Sequence, residues 1–234
     1  MQTVLRNLLL PVILMPGILT AATLVESQDV EGPQKMWVEG NKMRVQMDAN
    51  GDYMLADYTR KKVYFIVPSK RELIDMSDTI HSSKNNNHGL HVQVDYVGKG
   101  PNIAGYSTKK YNLSVNGQAC EQVLVSKQAM KDARLQGMMK NLDAINFDPM
   151  GGQFMNDCDR ADGLFARKMT KLGMPMGSIE RDGRMRGKVT LIKKNATLPE
   201  GGFTLPKGYR RITMQQKMQE AMGNMMPPSM PVVK

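Results

Sequence analysis

Alternation of apolar and polar side chains dominates the middle of this chain. Met43, Val45 and Met47 alternate with Arg44 and Gln46, the period of two expected where one face of a strand is buried. Met36-Trp37-Val38 precedes them across the turn Glu39-Gly40-Asn41. Asn50-Gly51, two residues that tolerate positive φ, predicts a hairpin into Tyr53-Met54-Leu55-Ala56. Lys62 to Val67 reads as a further strand closed by Pro68, and Glu72 to Ile80 as a short element. Ser82 to Gly89 is polar and predicts a loop. Alternation resumes at Leu90 to Val97 and at Tyr111 to Val115, and Asn116-Gly117 predicts a second hairpin into Cys120 to Val125. The pattern predicts an antiparallel meander with one apolar face.

The spacing then changes. Met130, Ala133, Leu135, Met138, Met139, Leu142 and Ile145 recur at helical intervals, predicting one helix over Gln128 to Ile145. Ser126 is its expected cap, without the acidic or amide partner of a capping box, and Asp148-Pro149 with Gly151-Gly152 end it. A shorter helix is expected over Asp159 to Leu172, a turn at Gly173-Met174-Pro175-Met176, and a strand at Gly187 to Lys194. Leu205 to Tyr209 leads into a final extended piece. Thr213 to Met226 reads as a helix, stopped by Pro227-Pro228.

The N-terminus has another character. Arg6 is followed by an apolar run from Leu8 to Leu19 and by the small residues Thr20-Ala21-Ala22, the three-part pattern of a secretory signal peptide cleaved after Ala22. The run is about 12 residues, short of the roughly 20 that span a bilayer, and Pro11, Pro16 and Gly17 interrupt it. The expected organisation is a signal peptide at 1–22, a folded domain at 23–212 and a Met-rich tail at 213–234, with the mature protein periplasmic or secreted. An oxidising compartment lets the only two cysteines, Cys120 and Cys158, pair as a disulfide. His81, His88 and His91 lack metal-ligand spacing with them, so neither a metal site nor a cofactor is expected.

Composition sharpens the chemistry. Methionine is abundant, 22 in 234 residues, and its unbranched thioether suits irregular apolar space. The candidate apolar pocket comprises Trp37, Met43, Val45, Met47, Met130, Met138 and Leu142. Soft thioethers also bind Cu(I), so the tail residues Met214, Met218, Met222, Met225 and Met226 carry an alternative reading, a copper-binding stress protein. A net charge of +10 favours anionic partners. Between Arg160 and Lys194 ten Lys or Arg face three Asp or Glu. Arg167, Lys168, Lys171, Arg181, Arg184, Arg186 and Lys188 form the candidate basic patch, read either as a solvated face or as a dock for an anionic membrane surface. Nucleic acid is not expected, because the cluster lacks interleaved aromatics. No Gly-x-Ser-x-Gly and no nucleophile in a recognised catalytic context occurs, so no enzyme is expected. Asn156 to Gly163 is a poor match to a calcium loop, with Ala161 at a ligand position.

The order of the pieces is the most specific feature. GNKMRVQM, KVYFIVP, NIAGYSTKKYNLSVNGQACEQVLVS, GMPM and FTLPKGYRRI follow one another over residues 36–212. This order resembles a domain-of-unknown-function family of exported bacterial proteins related to the lipoprotein-localisation carriers. The resemblance implies an α+β fold, a curved antiparallel half-barrel with helices covering its concave side. It also implies a lipid or a lipoprotein acyl chain as partner. The function expected is non-enzymatic binding of an acyl chain or other apolar ligand. A structural or interaction protein with a filled core is the remaining alternative.

Overall fold

The computed structural model describes residues 22–30, 32–47, 50–77, 80–82, 89–142, 145–147 and 156–225. The expected signal peptide before Ala22, the centre of the expected loop at 83–88, residues 148–152 expected to end the helix, and the chain after Met225 lie outside them. The strands are β1 (Ala22–Asp29), β2 (Pro33–Glu39), β3 (Lys42–Gln46), β4 (Tyr53–Asp57), β5 (Lys62–Val67), β6 (Glu72–Asp75), β7 (Ile80–Ser82), β8 (Val92–Lys99), β9 (Lys109–Val115) and β10 (Gln118–Ser126). Then follow α1 (Lys127–Asp132), α2 (Gln136–Leu142), β11 (Ile145–Phe147), α3 (Asp157–Arg160), α4 (Asp162–Leu172), β12 (Met174–Ile179), β13 (Met185–Ala196), β14 (Arg210–Thr213) and α5 (Met214–Met225).

Twelve strands form one curved, unclosed sheet in the order β14-β6-β5-β4-β3-β2-β1-β13-β12-β10-β9-β8, antiparallel except where β14 runs parallel to β6. β7 and β11 pair separately. The meander is as expected from β2 to β5, and the short element expected over Glu72 to Ile80 begins with a further strand of it, β6. Asn116 and Gly117 adopt φ of 50° and 78° and close the β9–β10 hairpin, with Val115 opposite Gln118. The strand at the centre is one the apolar pattern did not announce. β1 pairs with β2 on one side and β13 on the other, so the first described residues join the two halves of the sheet.

Period-two alternation sorts the side chains onto two faces. Val38, Met43, Ala56 and Val63 are successive cross-strand neighbours on one face. They join one core with Ala129, Met130, Ala133, Leu135, Met138 and Met139 from the α1–α2 segment. Trp37, Arg44, Leu55 and Tyr64 form the corresponding row on the opposite face. There Tyr53, Leu55 and Ile66 pack with Phe203 and Tyr209 from the long segment between β13 and β14.

The single helix expected over Gln128 to Ile145 is two helices and a strand. Ser126 caps α1 as anticipated, its Oγ accepting the Ala129 N–H at 3.2 Å. α1 then stops. Arg134 turns to φ 58°, the Leu135 N–H reaches the Met130 carbonyl and the Arg134 N–H that of Lys131, the paired bonds of a Schellman motif. A non-glycine residue in this left-handed conformation costs about 1 kcal/mol. Burying Met130, Leu135 and Met138 on the sheet returns about 1.5–3 kcal/mol each, so packing wins. Two further expectations change. Met174-Pro175-Met176 is the start of β12, not a turn, and the one helix expected over Asp159 to Leu172 is two: α3 from Asp157, capped by the Asn156 side chain through the Asp159 N–H, and α4 from Asp162.

Candidate functional site

Between α4 and the helix-bearing face of the sheet lies an open cleft of about 660 Å³. Val25, Met36, Met43, Val45 and Val189 come from β1, β2, β3 and β13. Leu113 and Val123 come from β9 and β10. Met139, Phe165 and Met169 come from α2 and α4, and Met174 and Met176 from β12. Six thioethers therefore line this space. Its rim is polar: Ser27, Gln28, Gln34, Glu121, Asp162, Arg186 and Lys188. A volume of this size falls in the range of roughly 300–1,000 Å³ typical of small-molecule sites.

Sequence reasoning located this wall in part. Met43 and Val45 line the cleft. Met130 and Met138 are buried in the core that supports it and do not line it. Trp37 is a correction. Pairing across the Gly40-Asn41 turn sets it beside Arg44 on the opposite face, where its indole N–H donates to the Thr197 carbonyl at 3.1 Å. Met47 is another, since it follows the end of β3, is 43% exposed and does not line the cleft. The Leu142 side chain lies outside what is described. Met36, Phe165, Met169, Met174 and Met176 were missed as pocket residues. The first could have been found from its alternation with Trp37; the others are gathered by contacts between distant segments.

A second cavity, of about 470 Å³, adjoins the rim and shares Glu121, Asp162, Phe165 and Arg186 with the cleft. A disulfide joins Cys120 and Cys158 at its edge, linking β10 to α3 with Cα atoms 5.6 Å apart. Arg181 donates from Nε to the Cys120 carbonyl at 3.2 Å and lies 3.8 Å from the Cys158 sulfur. Burial and the neighbouring Asp162 charge push the Glu121 carboxyl up from its ordinary range. Burial and Asp159 push Asp162 up, while Arg186 opposes both shifts. Among the described residues no group of His, Cys, Asp and Glu is placed to hold a metal ion.

The seven basic residues are distributed over several elements. Arg167, Lys168 and Lys171 sit on α4, and Lys168 donates to the Val92 carbonyl at 2.6 Å. Arg181 and Arg184 occupy the β12–β13 turn, where Arg184 pairs with Glu180 and Asp182. Arg186 and Lys188 reach the cleft rim.

The tail helix α5 docks differently from the Met stripe expected of it. A capping box starts it, with the Thr213 and Gln216 side chains each accepting the other's backbone N–H. Met214 packs beside Val67, Ile74 and Ile212, but Met218 is 39% exposed. The attachment is ionic: Glu72 accepts from Arg210 and Lys217, both at 2.6 Å, and Arg210 also pairs with Glu220 at 2.8 Å. The side chains of Met222 and Met225, and all of Met226, lie outside the described residues.

No protein-family model matches the chain, and no curated protein matches it. Similar solved structures include that of PNGF-II, with a TM-score of 0.45 at 13% identity, covering 86% of this chain and 33% of that one. MucB gives a TM-score of 0.38 at 8% identity over 81% of this chain and 59% of its own. The MucA/MucB complex of Pseudomonas aeruginosa gives 0.38 at 10% identity, covering 82% and 57%. The chain thus spans between 33% and 59% of the length of these structures. With TM-scores below 0.5 the likeness carries no argument about function. No described helix is long and apolar enough to cross a membrane.

Proposed function

We infer that this protein binds an acyl chain or a similarly apolar ligand, without catalysing a reaction, in the cleft between α4 and the sheet. The observation that carries this reading is the cleft itself: about 660 Å³ of open space walled by Val25, Val45, Val123 and Phe165 and by six methionines. Apolar surface left in water favours an apolar occupant by about 25 cal/mol per Å² covered. Thioether side chains, unbranched and rotatable, let one wall meet chains of different shape. In this reading the helix-bearing face is the concave side of a half-barrel, as the resemblance to the lipoprotein-localisation carriers implies, and α4 is one lip of its mouth. The compartment is the periplasm or the exterior, where an acyl chain of a lipid or lipoprotein needs shielding from water. Arg167 and Lys171 on α4 then lie beside the mouth that meets an anionic membrane surface.

The test is titration with a fluorescent fatty acid. Val45→Trp places an indole in the cleft from a half-buried strand position. The fluorescent acid is expected to bind the unsubstituted protein and to lose at least about tenfold in affinity to the variant, with thermal unfolding little changed. Equal binding by the two proteins, or none by the unsubstituted one, contradicts the reading.

A further inference from the structure

We propose that the ligand's polar end is zwitterionic, a head carrying an ammonium and a phosphate, seated where the apolar cleft adjoins the cavity beside the disulfide. This rests on the acyl-chain reading above and names the class of amphiphile the cleft takes.

The two spaces adjoin. Glu121, Asp162, Phe165 and Arg186 line both, so an amphiphile whose chain fills the apolar cleft can present its head at these residues. Beyond them lie about 470 Å³, room for a head larger than a bare carboxylate. Charges of both signs line this cavity. Glu121, Asp159 and Asp162 supply carboxylates, and Arg181 and Arg186 supply guanidinium groups.

Each simpler head leaves part of this arrangement opposed. A carboxylate alone would add a third negative charge beside Glu121 and Asp162, whose carboxyls burial and like charge already push up. An ammonium alone would relieve that repulsion but would compete with Arg186. The charge of the Arg186 guanidinium acts on both Glu121 and Asp162, yet among the described residues no hydrogen bond or close ion pair holds its fork of donors, which can therefore take an oxyanion. A phosphate on Arg186 and an ammonium on Glu121 and Asp162 satisfies both signs at once. Hydrogen bonds to ionised partners are roughly twice as strong as neutral ones, so the head adds selectivity to the affinity of the chain.

Isothermal titration of the whole protein below the micelle threshold tests this, with three probes of equal chain length: myristoyl lysophosphatidylethanolamine, myristate and myristyl trimethylammonium. The lysophospholipid is expected to bind about tenfold tighter than either of the others. Arg186→Gln and Glu121→Gln are each expected to reduce its affinity about tenfold, with unfolding temperatures checked to exclude a loss of fold. Equal affinity for the three probes would overturn the head assignment and leave the cleft reading standing. Tightest binding by either singly charged probe would overturn it too. Binding by none of the three would overturn both.

Discussion

Met43 and Arg44 are neighbours in the chain and serve opposite faces of the sheet. The Met43 sulfur accepts from the Tyr58 hydroxyl at 3.7 Å and its side chain lines the cleft. Arg44, only 8% exposed, stacks 3.8 Å over the Tyr53 ring and donates to the Glu200 and Gly202 carbonyls, both at 3.0 Å.

This division predicts separable effects. Arg44→Ala removes the stacked cation and both anchors of the segment at 200–202, and should destabilise the protein by about 2–4 kcal/mol. Amide exchange should quicken around Glu200 to Gly202, while acyl binding persists because the opposite face is untouched. Chemical denaturation and exchange mass spectrometry measure both; unaltered exchange there would remove Arg44 as the anchor.

The α5 attachment should depend on acid. Hydrogen bonds from Lys217 and Arg210 hold the Glu72 carboxyl down at about 2. A group depressed on folding stabilises the folded state fully above its unfolded value, about 4.3, and loses that contribution as pH falls through the folded value. α5 docking should therefore weaken between about pH 4 and pH 2. Glu72→Gln should loosen the helix already at neutral pH and abolish that acid step in exchange measurements. A Glu72→Gln protein with the same acid step would place the switch elsewhere.

The disulfide closes a separation of 38 residues and ties β10 to the segment leading into α4. Replacing Cys120 and Cys158 together by Ser should cost about 3–4 kcal/mol in the chain-entropy account. Mass analysis of the unreduced protein should show the linked peptides, and free thiols in protein from an oxidising compartment would contradict the pairing.

At the break between α1 and α2, Arg134→Gly should stabilise. Glycine adopts φ near 58° without the penalty an arginine bears, a difference of about 0.5–1 kcal/mol. A calorimetric rise of about 1–4 °C is expected, and a fall would show that the Arg134 side chain holds the turn.

How much was legible follows from how local each signal is. The strands from Met36 to Val67 and the Asn116-Gly117 turn announce themselves through adjacent residues. The break at Arg134 does not, because the apolar spacing runs on to Met138 and Met139 and arginine has no leaning toward positive φ. β12 was hidden by Gly173 and Pro175; its strand state comes from β10 and β13, with a register shift opposite Pro175, which has no N–H to give. Alternation placed Met43 and Val45 on the cleft wall and could have set Trp37 on the other face. Phe165 and Met169 reach the cleft only once α4 lies across the sheet, and Met174 and Met176 only once β12 pairs with β10 and β13, relations no local pattern carries.

Methionine methyl groups offer the most direct measurement of the central claim. With the methyls isotopically labelled, titration with myristate should shift the NMR signals of Met36, Met43, Met139, Met169, Met174 and Met176, which line the cleft, and leave Met185, Met214 and Met218 unmoved. Shifts confined to the tail and surface methionines, or none at saturating myristate, would contradict an apolar ligand in this cleft.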